Sequence, residues 1–170
     1  MDRTFPEHPH FQQKATQDAL RNILRAYACH KPEVGYCQSF NFLAAAALLH
    51  LNNNEEEAFW LFETLLTDYL PQDLYDNTLF GLYCECDVLM QLTKERKPKI
   101  YAHLHKLDVN YAIFATPWFM CVFLTCVPIE TAFRIWDSVI VEGYKVIFRA
   151  CISMLGMFED KLLQATDPGV

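Results

Sequence analysis

The sequence has 170 residues, of which 52% are hydrophobic and 14% aromatic. This composition excludes an intrinsically disordered chain, which would be richer in charge and poorer in aromatic residues. The sequence has only 5 glycines, too few for the many turns of a β-sandwich or barrel. Its net charge of −7 argues against binding to nucleic acid or anionic lipid through the overall charge.

The first part of the chain carries apolar residues at helical spacing, which predicts three helices. The first helix is predicted at about 11–29 and ends before Pro32, because proline cannot lie inside a helix. The second is predicted at about 36–51. The third begins after Asn54, a favourable N-cap, and runs to about Tyr69.

The second part is predicted to begin with a loop at 71–77 and to continue as helices separated by prolines and one glycine. The expected helices cover about 78–95, 98–107, 112–126, 128–141 and 144–160. No segment shows the alternation that is typical of a strand. The prediction is therefore an all-α fold with a single domain of about eight helices over residues 1–160 and a tail at 161–170.

The stretch between Asp108 and Glu130 has no charged residue, so it is a candidate for a membrane-spanning helix. Pro117 and Pro128 interrupt it, whereas a spanning helix needs about 20 uninterrupted apolar residues. A buried helix pair broken near Pro117 is the better interpretation. We therefore expect a soluble protein without an integral membrane segment.

The 7 cysteines and 6 histidines raise the question of a metal site or a thiol enzyme. Cys84 and Cys86 are two residues apart, and that spacing on a helix places side chains on different faces. Cys121 and Cys126 are five apart, which is not a zinc-ligand spacing either. We expect no metal site, and reduced, buried thiols of an intracellular protein.

Arg3 stands in the segment Arg3-Thr4-Phe5-Pro6, before the first predicted helix. The proline favours an extended chain just before it, so Arg3 is expected on a loop. The planar guanidinium of an arginine suits phosphate oxygens, and an arginine on a fixed loop can reach a partner. On this segment alone, an ordinary surface arginine is the better explanation.

The segment Gly35-Tyr36-Cys37-Gln38-Ser39-Phe40-Asn41 stands at the start of the second predicted helix. Glycine permits a tight turn, which is expected to place Tyr36 and Gln38 in the first turn of the helix, where a phosphate can bind. A glutamine side chain can accept a hydrogen bond from water and donate one to a phosphate oxygen. The alternative is a buried Asn/Gln pair that satisfies helix ends.

Five segments in the same order resemble the TBC domain, from Arg3 to about Phe158. They are Arg3-Thr4-Phe5-Pro6, Gly35-Tyr36-Cys37-Gln38, Glu57-Ala58-Phe59-Trp60, Pro117-Trp118-Phe119, and Arg134-Ile135-Trp136-Asp137 with Glu142-Gly143. The aromatic residues among them are mostly expected in the core. The resemblance implies an all-α fold and a GTPase-activating protein that acts on Rab-type small GTPases.

By this resemblance Arg3 would be the arginine finger and Gln38 the glutamine finger, both supplied in trans, so that the chain is not itself a hydrolase. Tyr36, Asn41, Thr4 and Pro6 would support the site or contact the GTPase. The partner would be a Rab in its GTP form; GTP and Mg²⁺ belong to that partner, and the domain needs no cofactor or metal of its own. A cytoplasmic location is implied, at organelle membranes reached through the lipidated partner, with a role in vesicle trafficking.

The chain also departs from the family pattern. The family's Ile-x-x-Asp-x-x-Arg motif lacks its first residues here, because only Met1 and Asp2 precede Arg3. The helical segment before that motif and the last helices of the family are expected to be missing as well. Ser39-Phe40 follows Gln38 where the family usually has Gly-Met. The alternative function is therefore a non-catalytic TBC-like module that binds a GTPase or another protein.

Overall fold

The computed structural model describes residues 4–5, 8–76 and 78–167. Within these ranges the chain forms nine α-helices and no strand, which confirms the predicted all-α class. Short helical turns cover Pro9–Gln12, Leu65–Tyr69 and Gln72–Tyr75. The α-helices are α1 (Lys14–His30), α2 (Phe40–His50), α3 (Glu55–Thr64), α4 (Phe80–Arg96), α5 (Pro98–Lys106), α6 (Ala112–Met120), α7 (Ile129–Glu142), α8 (Lys145–Met157) and α9 (Glu159–Gln164).

Helices α1, α2 and α3 pack against one another and form the first half of the core. The alanine-rich α2 lies in the middle and is buried along most of its length. Aromatic rings fill the space at its start, where the Phe40 ring lies 5.3 Å from Tyr27 and 5.5 Å from Phe62. The small alanine side chains allow the neighbouring helices to approach α2 closely.

The second half is organised around α4, which packs against α5, α6 and α8, while α7 packs on α8 and α9 on α5. The turns at Leu65–Tyr69 and Gln72–Tyr75 connect the two halves. Tyr75 is buried between them, with its ring 5.1 Å from Phe40 and its hydroxyl donating to the Met120 carbonyl at 3.0 Å. The two halves therefore share one core.

The predicted start of the second helix is wrong by four residues. Helix α2 begins at Phe40, and not at about 36, because Ser39 has φ 93° in the left-handed region and interrupts a helical path. Tyr36 and Gln38 consequently lie in the loop before α2 and not in its first turn.

The helix break predicted near Pro117 is also misplaced. Pro117 lies inside α6, which ends at Met120, and turns occupy 121–126 where a helix was predicted. Val122 and Phe123 have φ 45° and 65°, a conformation that ends the helix although neither residue is a glycine. Across the described residues, no helix combines the length and the apolar character that crossing a membrane requires.

The end of the chain contains one more helix than the pattern indicates. The predicted helix at 144–160 is divided at Phe158 into α8 and α9. Helix α9 runs across position 160, where the sequence suggested the start of a tail. Leu162 of α9 packs against the core, and the His103 ring contacts the Ala165 carbonyl at 2.9 Å.

Candidate functional site

The loop between α1 and α2 presents Tyr36 and Gln38 to solvent. Tyr36 is 59% exposed, and Gln38 is exposed at the turn that leads into α2. The chain reverses after α1 at Gly35, whose φ of +62° is readily adopted only by glycine, and the Gly35 amide donates to the Lys31 carbonyl at 2.9 Å. The loop is therefore a hydrogen-bonded turn that holds both side chains outside the core.

The residues on either side of Gln38 are anchored. The Phe40 amide donates to the Cys37 carbonyl at 3.2 Å, and Ser39 is buried at 6% exposure. Burial and, to a smaller extent, the negative charge of Asp76 raise the pKa of the Cys37 thiol. A hydrogen bond from the Gln38 backbone lowers this pKa and offsets part of the rise. Cys37 is therefore a neutral packing group, and Gln38 is the side chain that the turn exposes.

Asn41, in the first turn of α2, connects the loop to the start of the chain. Its Nδ2 donates to the Thr4 Oγ1 at 2.8 Å, and its Oδ1 accepts from the Tyr36 hydroxyl at 3.4 Å. Both ends of the amide are thus used by other side chains. Burial and the neighbouring Cys37 raise the pKa of Tyr36, so its hydroxyl keeps the proton that it donates.

Thr4 is only 3% exposed, which is uncommon for a threonine. The next residue, Phe5, packs its ring 5.5 Å from Phe42 of α2 and 5.8 Å from Phe11. Thr4 and Phe5 are therefore packed against the start of α2. Arg3 and Pro6, the other predicted site residues of this segment, lie outside the described residues.

The predicted site residues within the described part of the chain thus belong to one neighbourhood. Thr4, Asn41 and Tyr36 are connected by hydrogen bonds, and Gln38 lies in the same loop as Tyr36. The alternative interpretation, a buried Asn/Gln pair at the helix end, is wrong because Gln38 is exposed and Asn41 bonds to side chains.

Two contributors to this neighbourhood were not identified from the sequence. Burial raises the pKa of the Cys121 thiol, in the turn after α6, and the nearby Ser39 partly opposes this. Asp76 lies close enough to raise the pKa of the Cys37 thiol. A pocket of about 320 Å³ beside the loop is lined by Tyr27, Glu33 and Asp76 among others. Burial and the charges of Glu63 and Glu33 raise the pKa of Tyr27 to about 12. The Asp-x-Thr pattern at 76–78 signals only a local turn, and nothing near Cys121 signals its distant partner.

All seven cysteines carry free thiols. Cys86, Cys121 and Cys151 are buried, whereas Cys29 and Cys84 are exposed, so the expectation of buried thiols is correct only in part. Burial raises the pKa of Cys86 to about 11, which keeps that thiol protonated at neutral pH. Over the described ranges, no three histidine, cysteine or acidic residues are grouped so that they could hold a metal ion.

Comparison with known proteins places this geometry in a family context. Among curated relatives, TBC1 domain family member 2B of Xenopus tropicalis is 38% identical over 167 residues, which are 97% of this chain and 18% of that protein. Growth hormone-regulated TBC protein 1 of Homo sapiens is 37% identical over 169 residues, covering 98% of this chain and 50% of that protein. The chain thus spans half or less of the length of these relatives.

Two solved structures have the same fold. The Chlamydomonas flagellar RabGAP TBC domain superimposes with a TM-score of 0.89 at 35% identity, covering 98% of this chain and 55% of that one. The Ypt/Rab-GAP domain of Gyp1p superimposes with a TM-score of 0.84 at 23% identity, over 98% of this chain and 60% of that one, and shows the fold alone. The family model of the Rab-GTPase-TBC domain matches residues 1–163, and the chain therefore belongs to the Rab-GTPase-TBC domain family.

Proposed function

We propose that this chain stimulates GTP hydrolysis by a Rab-type small GTPase, with Arg3 and Gln38 as the residues supplied in trans. Family membership supports the reaction class. The observation that carries the residue assignment is the hydrogen bond between Thr4 and Asn41. It attaches the immediate neighbour of Arg3 to the helix whose preceding loop exposes Gln38.

The chemistry of GTP hydrolysis suits these two side chains. A water molecule attacks the γ-phosphorus, the bond to the bridging oxygen breaks, and the products are GDP and inorganic phosphate. Negative charge redistributes over the phosphate oxygens in the transition state, where a guanidinium stabilises it. The Gln38 amide would accept a hydrogen bond from the attacking water and donate one to a phosphate oxygen, so that it orients the nucleophile.

The proposal assigns the nucleotide and its Mg²⁺ to the partner, which would be the GTP-bound Rab. The activator contributes no cofactor of its own, only side chains that reach across the interface. We propose that the chain acts in the cytoplasm and meets organelle membranes through the lipid anchor of its GTPase, and that it thereby regulates vesicle trafficking.

Single-turnover GTP hydrolysis by a panel of purified Rab proteins tests the proposal. The chain is compared with its Arg3→Ala and Gln38→Ala variants. Matched controls are Arg25→Ala and Gln91→Ala, since both residues are exposed on helices away from the loop. For a responsive Rab, loss of the arginine should lower the stimulated rate by about 10³-fold or more, and the controls should stay within about twofold of the parent.

A binding measurement with Rab loaded with a non-hydrolysable GTP analogue separates the alternatives. Acceleration that disappears in both variants supports the two-residue mechanism. Binding without acceleration of any Rab would instead support the non-catalytic interaction module. A chain that accelerates hydrolysis equally well without Arg3 and Gln38 would contradict the residue assignment while preserving the activity.

A further inference from the structure

The start of the chain forms a strap along α2, which we define as residues 4–5 and 8–16. Thr4 bonds to Asn41, Phe5 packs on Phe42, and the Thr16 Oγ1 accepts from the Asn53 Nδ2 at 3.3 Å. Each hydrogen-bonded pair is separated by 37 residues. The constant separation means that the strap follows α2 in the same direction. One Asn–Thr hydrogen bond joins it to the first turn of α2, and the other joins Thr16, in the first turn of α1, to the turn after α2.

The two Asn–Thr bonds differ in their surroundings. The distal bond joins Thr16, which is 1% exposed, to an asparagine in the turn after α2. The Oδ1 of that asparagine, Asn53, is buried without a hydrogen-bond partner. The proximal bond joins Thr4 to Asn41, whose Oδ1 is also bonded to the exposed Tyr36. Only the proximal asparagine therefore connects the strap to the loop that carries Gln38.

We propose that Asn41 is a positioning residue that holds Thr4, the residue next to Arg3, and the loop of Gln38 in one fixed relationship. This inference rests on the proposed function, because it assigns a purpose to the geometry around those two residues. An amide suits the task because its NH₂ donates to one segment while its carbonyl accepts from the other. Small errors in the placement of reacting groups cost a catalyst heavily, and two segments from distant parts of the chain need such a connection.

A contribution to stability alone does not account for the two hydrogen bonds of Asn41. The distal bond anchors the same strap, and neither Thr16 nor Asn53 belongs to the Gln38 loop. If Asn41 served stability only, the two bonds would be equivalent in their effect on hydrolysis. If loss of either bond lowers stability by a similar amount, but only loss of the proximal bond lowers the hydrolysis rate, the effect on the rate is due to positioning.

The test compares Thr4→Val with Thr16→Val, since both replacements keep the shape of the side chain and remove the hydroxyl. In single-turnover hydrolysis with a responsive Rab, Thr4→Val should lower the stimulated rate by about tenfold to a hundredfold. Thr16→Val should remain within about twofold of the parent, and Thr4→Ser should restore most of the rate. Tyr36→Phe, on the exposed side of the network, should cost about threefold to tenfold.

A double-mutant cycle identifies what is being positioned. In an Arg3→Ala background Thr4→Val should have little further effect, because there is no longer an arginine to place. Additive losses in this cycle would overturn the inference, and so would equal rates for Thr4→Val and the parent chain.

Hydrogen exchange provides a readout that does not depend on the activity. Peptides from the strap should exchange at least about threefold faster in Asn41→Ala than in the parent, with exchange of α7 and α8 unchanged. If no Rab responds to the parent chain, the proposed function fails, and this measurement still decides the positioning. Unchanged exchange of the strap in Asn41→Ala would overturn the role of Asn41 even where the hydrolysis assay succeeds.

Discussion

The hydroxyl of Tyr75 donates to the backbone carbonyl of Met120 at 3.0 Å, and both residues are 4% exposed. This single bond joins the turn after α3 to the end of α6. Burial raises the pKa of Tyr75 well above its ordinary value, so the phenol remains the donor. The residue that follows Met120 is Cys121, whose thiol pKa is influenced by Ser39, so the bond fixes a segment close to the Gln38 loop.

Removing that hydroxyl should destabilise the protein. Tyr75→Phe leaves the Met120 carbonyl buried without a partner, at a cost of about 1–3 kcal/mol. Urea denaturation followed by circular dichroism measures the change. Tyr83→Phe is the control, because Tyr83 is 54% exposed and its hydroxyl makes no hydrogen bond within the described part of the chain. Equal stabilities of the two variants would show that the Tyr75 bond contributes nothing.

The backbone at Ser39 stores strain that a glycine would release. A residue with a side chain at φ 93° costs about 1–2 kcal/mol relative to glycine, partly offset by the greater freedom of glycine in the unfolded chain. We expect Ser39→Gly to be more stable than Ser39→Ala by about 1 kcal/mol, since both lose the hydroxyl and only alanine keeps the strain. A thermal melt in which Ser39→Ala equals or exceeds Ser39→Gly would contradict the prediction.

Two glycines on helices should respond oppositely to alanine. A Cβ at Gly81 would lie 2.6 Å from the Asp73 backbone, which cannot yield, so Gly81→Ala should cost about 1–3 kcal/mol or more. At Gly156 the nearest atom is the Lys97 Nζ at 3.0 Å, the end of a flexible side chain. Gly156→Ala should therefore be neutral or gain up to about 1 kcal/mol of helix propensity. Guanidinium denaturation of both variants tests this pair, and two losses of similar size would contradict it.

Glu85 should make stability depend on pH in the acidic range. Burial, with a smaller contribution from Asp73, raises the pKa of Glu85 from 4.5 to about 7. The folded state therefore binds the Glu85 proton more tightly than the unfolded state. The stability that protonated Glu85 contributes is fully present below pH 4.5 and is lost as pH rises through 7.

Glu85→Gln should remove that dependence and stabilise the protein at pH 8 by about 1–2 kcal/mol, after allowance for solvent screening of a partly buried group. Melting temperatures between pH 4.5 and 8 measure the difference. Glu95→Gln, at an exposed position of the same helix, should follow the parent profile. A Glu85→Gln variant that loses stability at pH 8 would contradict the prediction.

The helix ends that the sequence identifies correctly are those with a strong local cause. Helix α5 begins at Pro98, α7 follows Pro128, and α7 ends before Gly143 at φ +91°, all of which agree with the prediction. Proline lacks the amide that a helix interior needs, and glycine adopts the left-handed conformation without strain. These effects act within a few residues and can be read without knowledge of the tertiary structure.

The errors occur where tertiary contacts override such local preferences. Ser39, Val122 and Phe123 adopt positive φ although sequence rules assign that conformation to glycine or asparagine. Their environment compensates: Val122 and Phe123 are fully buried, and the Val122 carbonyl accepts from the Trp136 indole at 3.2 Å. No pattern near Ser39 or Val122 indicates those partners, which lie far away in sequence.

The candidate site could be located from the sequence but not assembled from it. Tyr36, Gln38 and Asn41 stand in one short segment, which the motif identifies directly. The hydrogen bond between Thr4 and Asn41 depends on the packing of α1 on α2. This packing is a property of the folded core. The roles of Arg3 and Gln38 in hydrolysis stay predictions.

The strap also has a consequence for the order of folding. Both of its hydrogen bonds reach residues 37 positions later, so neither can form until α1 and α2 have packed against each other. Contacts that close such long loops form after local structure and are gained late. The strap can by the same reasoning detach while the helical core stays intact, as a local opening that costs less than global unfolding. Mild denaturant should therefore release the part of the strap before α1, and with it the proposed catalytic arrangement, before the helices melt.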